Sequence, residues 1–97
     1  MPLSIDTLKI EDKNLTGLNV GYDKEIYFSG RALDDRGKEI CDKLSGFKVG
    51  STVEVILESN QYGRRQGFYE LYERVIPPRE VTDRAIYRFS GKLRPVH

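Results

Sequence analysis

Tryptophan is absent from this chain of 97 residues, and cysteine, methionine and histidine occur once each. A single cysteine, Cys41, excludes an internal disulfide and points to a reducing compartment. One cysteine and one histidine are too few ligands for a zinc site. That histidine is His97, at the chain end, where backbones fray. Its position removes the commonest general base, and with it any Cys–His or Ser–His–Asp set. Neither Gly-x-Gly-x-x-Gly nor Gly-x-x-x-x-Gly-Lys-Ser/Thr occurs, so the phosphate-cradling motifs are missing. No apolar run approaches the roughly 18 residues of a membrane span. Met1-Pro2-Leu3-Ser4-Ile5-Asp6 lacks the basic and apolar regions of a signal peptide. These absences predict a cytoplasmic location, a host's cytoplasm if the gene is viral. They also predict a protein without catalysis, metal or cofactor.

The remaining composition describes an ordered domain spanning 1–97. Six Tyr and four Phe supply apolar mass that disordered chains lack. Charged residues make up 32% of the chain, yet the formal net charge is only +1. Residues 1–59 carry 8 Lys+Arg against 11 Asp+Glu, a net of −3, and residues 60–97 carry 8 against 4, a net of +4. Six of the first eight basic residues are Lys, whereas seven of the last eight are Arg. Arginine's planar set of donors suits phosphate, carboxylate and aromatic faces, so the second half is where a binding surface is expected.

Period-two patterning dominates. In Thr52–Glu58, Val53, Val55 and Leu57 point one way and Thr52, Glu54 and Glu58 the other, with Ile56 as the exception. A second strand runs from Gly67 to Val75, with Tyr69, Leu71 and Val75 on one face, and Pro77-Pro78 stops it. Residues 60–66 between them read as a long basic hairpin loop. Glu25–Leu33 and Ala85–Leu93 both begin Ile-Tyr after one residue and both contain Phe-Ser-Gly followed by a basic residue, through duplication or chance. In the later copy Tyr87, Phe89 and Leu93 alternate with Arg88, Ser90, Lys92 and Arg94, which gives one apolar and one basic face. Segments 3–10 and 15–21 are weaker strands. One helix is predicted over about 35–45, capped by Asp34 or Asp35, with Ile40 and Leu44 on one face and Gly46 at its close. The expected fold is α+β and mainly β: a small antiparallel sheet or barrel of five to six strands with one short helix.

Cys41 falls mid-helix and reads as a small apolar residue. The acidic residues Asp34, Asp35, Glu39 and Asp42, interleaved with Lys38 and Lys43, read as a solvated face with ion pairs. The candidate ligand-binding residues are Tyr62, Arg64, Arg65, Tyr72, Arg74, Arg88, Lys92 and Arg94. Tyr62, Arg64, Arg65, Phe68, Tyr69, Tyr72 and Arg74 lie in or beside one hairpin, and the other three line the basic face of the later strand. If those strands adjoin, the arginines suit phosphates and the tyrosines suit stacked bases. Against this, Tyr69, Phe89 and Phe68 also fit a core, and charges on a sheet also keep it soluble. Gly50–Ile56, followed by Gly63–Phe68, resembles the opening hairpin of SH3-like barrel modules, including the KOW and Tudor groups. That resemblance implies binding to nucleic acid or peptides.

Two expectations follow. The first is a non-catalytic protein-interaction module, a regulator or a phage or viral accessory protein, whose opposed halves serve docking or homo-oligomer formation. The second is a nucleic-acid-binding β-barrel module that uses the Arg/Tyr surface. No membrane partner is expected.

Overall fold

Alternation of apolar and polar side chains makes most of this chain extended, and pairing of the strands hides the apolar side. The computed structural model describes residues 6–96. Its elements are β1 (Thr7–Ile10), β2 (Lys13–Thr16), β3 (Asn19–Asp23), β4 (Glu25–Leu33), α1 (Asp34–Ser45), β5 (Thr52–Ser59), β6 (Gly63–Val75), β7 (Glu80–Val81) and β8 (Ala85–Pro95). All strand pairs are antiparallel. Together they form one eight-stranded sheet in the order β2-β1-β5-β6-β8-β4-β3, with β7 continuing along the flank of β8 that β6 leaves. The expected α+β, mainly β class is therefore correct, with more strands than expected. The expected hairpin is present as β5–β6, inside a sheet that does not close by hydrogen bonding.

The two strands beyond the expected six are β7 and the one gained where segment 15–21 divides. Segment 15–21 is split at Gly17, whose positive φ of 76° breaks the extended chain into β2 and β3. The segment predicted over 3–10 contributes β1, and its first residues, 3–5, lie outside the described residues. The loop expected over 60–66 is shorter than expected. Only Asn60, Gln61 and Tyr62 turn the chain, and Arg64, Arg65 and Gln66 are paired strand residues. Ser59 Oγ accepts the Gln61 and Tyr62 amides at 3.1 and 3.2 Å, and Gly63 closes the turn at φ 75°. Gly63, paired with Ser59, supplies the left-handed step that returns the chain to the ladder.

β2 and β3 occupy opposite edges of the sheet, yet only Gly17 and Leu18 join them. Three virtual bonds reach about 10 Å at most, so the two edges must curl towards each other. α1 packs on the inner side of β4 and β8. It also reaches β2 through Arg36 Nη2 to the Thr16 carbonyl (3.5 Å) and Lys43 Nζ to the Asn14 carbonyl (3.3 Å). The enclosed core joins Leu8, Ile10, Leu15, Val55 and Leu57 to Ile26, Leu71, Leu93 and the helix residue Leu44. Cys41 is buried there, and burial, followed by the neighbouring Asp42, pushes its thiol upward from the ordinary value.

The helix starts differently from expectation. Leu33 is the cap and offers no side-chain hydrogen bond, while Asp34 already lies in the helix at φ 53°. The Asp34 carboxylate instead accepts Arg84 Nε (2.8 Å) and the Ala85 amide (3.2 Å), which ties the start of α1 to the start of β8.

The two Phe-Ser-Gly segments meet in the sheet. Their register is Phe28↔Gly91, Ser29↔Ser90 and Gly30↔Phe89. Each ring lies over the other segment's glycine: a Cβ at Gly30 would stand 2.9 Å from Phe89 Cζ, and one at Gly91 would collide with Phe28 Cζ. Aromatic cover of a cross-strand glycine restores packing that the missing side chain would forfeit.

A β-bulge between Leu71 and Glu73 corrects two sequence expectations. Tyr72 is the extra residue, so side-chain parity reverses after it. Val75, expected beside Tyr69 and Leu71, lies opposite the outward Ser90 and is 46% exposed. Arg74, expected on the binding surface, turns inward instead. Its Nη1 donates to the carbonyls of Leu44 (3.1 Å), Ser45 (3.4 Å) and Phe47 at the end of α1. A cation there meets the negative end of the helix dipole and satisfies carbonyls that the helix cannot pair.

Two outcomes follow. Gly91→Ala should lower the unfolding free energy by about 1–3 kcal/mol, because the added Cβ would collide with the ring of the buried Phe28. In urea titrations Arg74→Met should cost about 2 kcal/mol, and Arg88→Met less than about 0.5 kcal/mol. Equal losses for the two arginines would refute the helix-capping role.

Candidate binding faces of the sheet

Sheet parity divides the expected site residues. Arg88, Lys92 and Arg94 project from β8 on the outer face, as their alternation predicts. Arg64 joins them from β6, opposite Glu58. Arg65 has inward parity near the turn of the β5–β6 hairpin, where its guanidinium lies 5.0 Å from the Tyr22 ring centroid. Tyr62 completes that group, 6.0 Å from Tyr22 between centroids. Below it Tyr69 is buried. Desolvation raises its pKa most, with Tyr22 adding to the rise and Arg65 opposing it. Tyr72, pushed out by the bulge, carries Arg94 over its ring at 5.0 Å. Arg74 lies on the other side of the sheet altogether. The eight residues therefore fall into an outer row, a hairpin-end cluster and a helix cap rather than one surface.

The outer row is matched in charge. Arg94 meets Glu70 at 3.1 Å, Lys92 meets Glu73 at 3.1 Å, Arg88 meets Glu80 at 3.2 Å, and Arg64 lies 3.9 Å from Glu58. Three of these pairs are set by register, since Glu70↔Arg94, Glu73↔Lys92 and Glu58↔Arg64 are direct cross-strand neighbours. Pairs this exposed contribute little stability, but opposite charges in register fix the strand alignment. They also leave the face alternating in sign rather than uniformly positive. The acidic helix residues follow expectation, with Glu39 pairing with Lys43 at 3.2 Å. Among the described residues no three His, Cys, Asp or Glu side chains converge as metal ligands, and no helix is long and apolar enough to cross a membrane.

Parity also places apolar residues outside those eight candidates on the outer face. Phe68, opposite Glu54 and flanked by the inward Gly67 and Tyr69, projects outward and is 60% exposed. It therefore leaves the core, where Tyr69 and Phe89 remain. The period-two pattern already required this: if Tyr69 and Leu71 face inward, Phe68 faces outward. Ile56, the apolar exception of β5, shares its face and lies on the diagonal. Val96, 46% exposed, donates its amide to the Phe68 carbonyl at 3.1 Å. Ile56, Phe68 and Val96 thus make an apolar patch among Glu54, Glu70 and Arg94.

No family model, curated protein or solved structure matches the chain. Its functional reading rests on its own geometry.

The Tyr72 hydroxyl approaches the Glu25 carboxylate. That contact leads the causes, ahead of desolvation, that push its pKa from 10.0 to about 12. A raised tyrosine pKa means the neutral, donating form is favoured in the folded state. Its contribution is complete below the unfolded value and disappears as pH rises through about 12. Glu25→Gln should move the Tyr72 titration back towards 10, followed by ultraviolet difference absorbance. A Tyr72 transition unmoved by that change would rule out Glu25 as the partner.

Proposed function

We propose that this chain is a non-catalytic protein-interaction module that docks through the outer surface of β5, β6 and the end of β8. Phe68 is the anchor. The observation that carries the reading is a ring left 60% exposed on a rigid strand, next to Ile56 and Val96 and rimmed by charged residues. Exposed aromatics set in a polar rim are the side chains that contribute most to protein interfaces. The partner this surface fits offers an apolar recess for the Phe68 ring and a basic group for Glu54, which lies directly opposite Phe68. The alternating Arg–Glu rows would fix orientation and exclude partners of the wrong charge pattern.

The second reading, a nucleic-acid-binding surface made from the Arg and Tyr residues, draws on Arg94 over Tyr72 and Arg65 over Tyr22. Its difficulty is the glutamate beside Arg64, Arg88, Lys92 and Arg94, because phosphate binding needs basic groups whose charge is not already met.

Phe68→Asp separates the readings. The variant should retain wild-type thermal stability, because the ring is outside the core. It should also lose a partner that wild-type protein and a Tyr62→Ala control both recover in cross-linking and mass spectrometry. Light scattering on the same samples distinguishes a second copy of the chain from another protein. Recovery independent of Phe68 would overturn the anchor. Retardation of nucleic acid that weakens steeply with salt and persists in Phe68→Asp would favour the second reading.

A further inference from the structure

On the same outer surface, but away from Phe68, two arginines face each other. Arg31 on β4 and Arg88 on β8 are direct cross-strand partners, both exposed. Side chains so placed have Cβ atoms about 4.5–5.5 Å apart, and like charges there destabilise the sheet. Other rows of this face place a glutamate opposite a basic residue, as Glu70 and Glu73 do. This row does not. Glu80 engages only the Nε edge of Arg88, at 3.2 Å. The Arg31 side chain has no ion pair among the described residues. An adjoining recess is lined by Arg31 together with Arg36 and Arg84. Of these, Arg36 is turned to the Thr16 carbonyl and Arg84 is held by Asp34 at 2.6 Å. Arg31 thus adjoins three further arginines, of which Arg84 is paired with Asp34 and Arg88 with Glu80.

The next row along the strands is small and polar: Asn19, Ser29 and Ser90 are consecutive cross-strand partners. It joins two open recesses that share Asn19 and Ser29. One, of about 480 Å³, contains Arg31 and Arg88. The other, of about 370 Å³, contains Gly21, Tyr27 and Lys92. Gly21, Ser29 and Ser90 leave the floor low, and Tyr27, 37% exposed, forms a wall. Rows two residues apart lie about 6.7 Å from each other, so the arginine row and the tyrosine row are about 13 Å apart at the backbone. Arginine side chains reach into that gap.

We infer that this surface binds a small organic phosphate with a flat body, the class to which nucleoside monophosphates belong. The phosphoryl group lies between Arg31 and Arg88. A dianion there relieves the repulsion between the two guanidinium groups: Arg31 brings a charge that no carboxylate meets, and Arg88, held by Glu80 at Nε, presents its remaining edge to the phosphate oxygens. Asn19, Ser29 and Ser90 supply hydrogen bonds to the polar middle of the ligand, and Tyr27 supplies a stacking wall for its flat end.

Calorimetric titration with adenosine monophosphate tests this, with adenosine, a short oligonucleotide, and the Arg31→Gln and Phe68→Asp variants alongside. The monophosphate should bind saturably. Adenosine should bind at least tenfold more weakly, and Arg31→Gln should lose about tenfold or more, the loss expected for one charge-assisted phosphate contact. Phe68→Asp should bind as wild type does, so this site and the protein-docking face stand or fall separately. Without ligand, Arg31→Gln should melt at a higher temperature, because it removes the like-charge pair. Absence of saturable monophosphate binding, equal binding of adenosine, or unchanged affinity in Arg31→Gln would overturn the site. Tighter binding of the oligonucleotide, still dependent on Arg31, would overturn the small-molecule ligand in favour of a nucleic-acid strand.

Discussion

The pairing of β4 with β8 is the constraint on which the molecule depends. Eight residues of each strand are in register, from Ile26↔Leu93 to Leu33↔Ile86. At the centre Phe28 covers Gly91 and Phe89 covers Gly30. This reciprocal fit permits one alignment, because a two-residue slip would set a ring against a side chain. The fixed alignment then seats α1, which packs on both strands through Gly37, Ile40, Cys41 and Leu44. It also brings Arg31 opposite Arg88. Packing on one side of the sheet therefore determines which charges meet on the other.

The sequence was most legible where one rule acted alone. The alternation of Val53, Val55 and Leu57 and of Phe89 and Leu93 marked strands and their inward faces correctly, and Ile40 and Leu44 marked the helix face. The repeated Phe-Ser-Gly was visible as a pattern, but its physical reason lies in a cross-strand encounter that a linear reading does not contain. The bulge at Tyr72 was not legible either. Glu70-Leu71-Tyr72-Glu73-Arg74-Val75 continues a regular alternation, and only pairing with β8 forces the extra residue out. One such insertion sent Arg74 to the helix and Val75 to the surface. Gly17 gave a local turn signal, yet sending β2 and β3 to opposite edges depends on pairings made far away in the chain.

The electrostatic reading changed for a related reason. The excess of arginine in residues 60–97 is real, but charge counted along a chain is not charge on a surface. Glu58 comes from the acidic part to meet Arg64, and Asp34 does the same for Arg84. Glu70, Glu73 and Glu80, three of the four acids of the basic part, stand beside Arg94, Lys92 and Arg88. Two of these pairs join the halves of the chain, and the other three neutralise basic residues within the second half. What remains distinctive on the outer face is an aromatic ring without cover and a row, Arg31 opposite Arg88, in which only Arg88 meets a carboxylate.

The place of β8 in the strand order has a further consequence during synthesis. β8 lies between β4 and β6 and also carries β7, and all three precede it in the chain. Until the ribosome has released residues 85–95, the inward faces of β4 and β6 have no strand to join them, and the Phe28 ring has no glycine to cover. Contacts this distant in sequence close slowly. Until β8 emerges, one edge of β4 and one edge of β6 stay unpaired, the condition that exposes partly folded chains to misassembly.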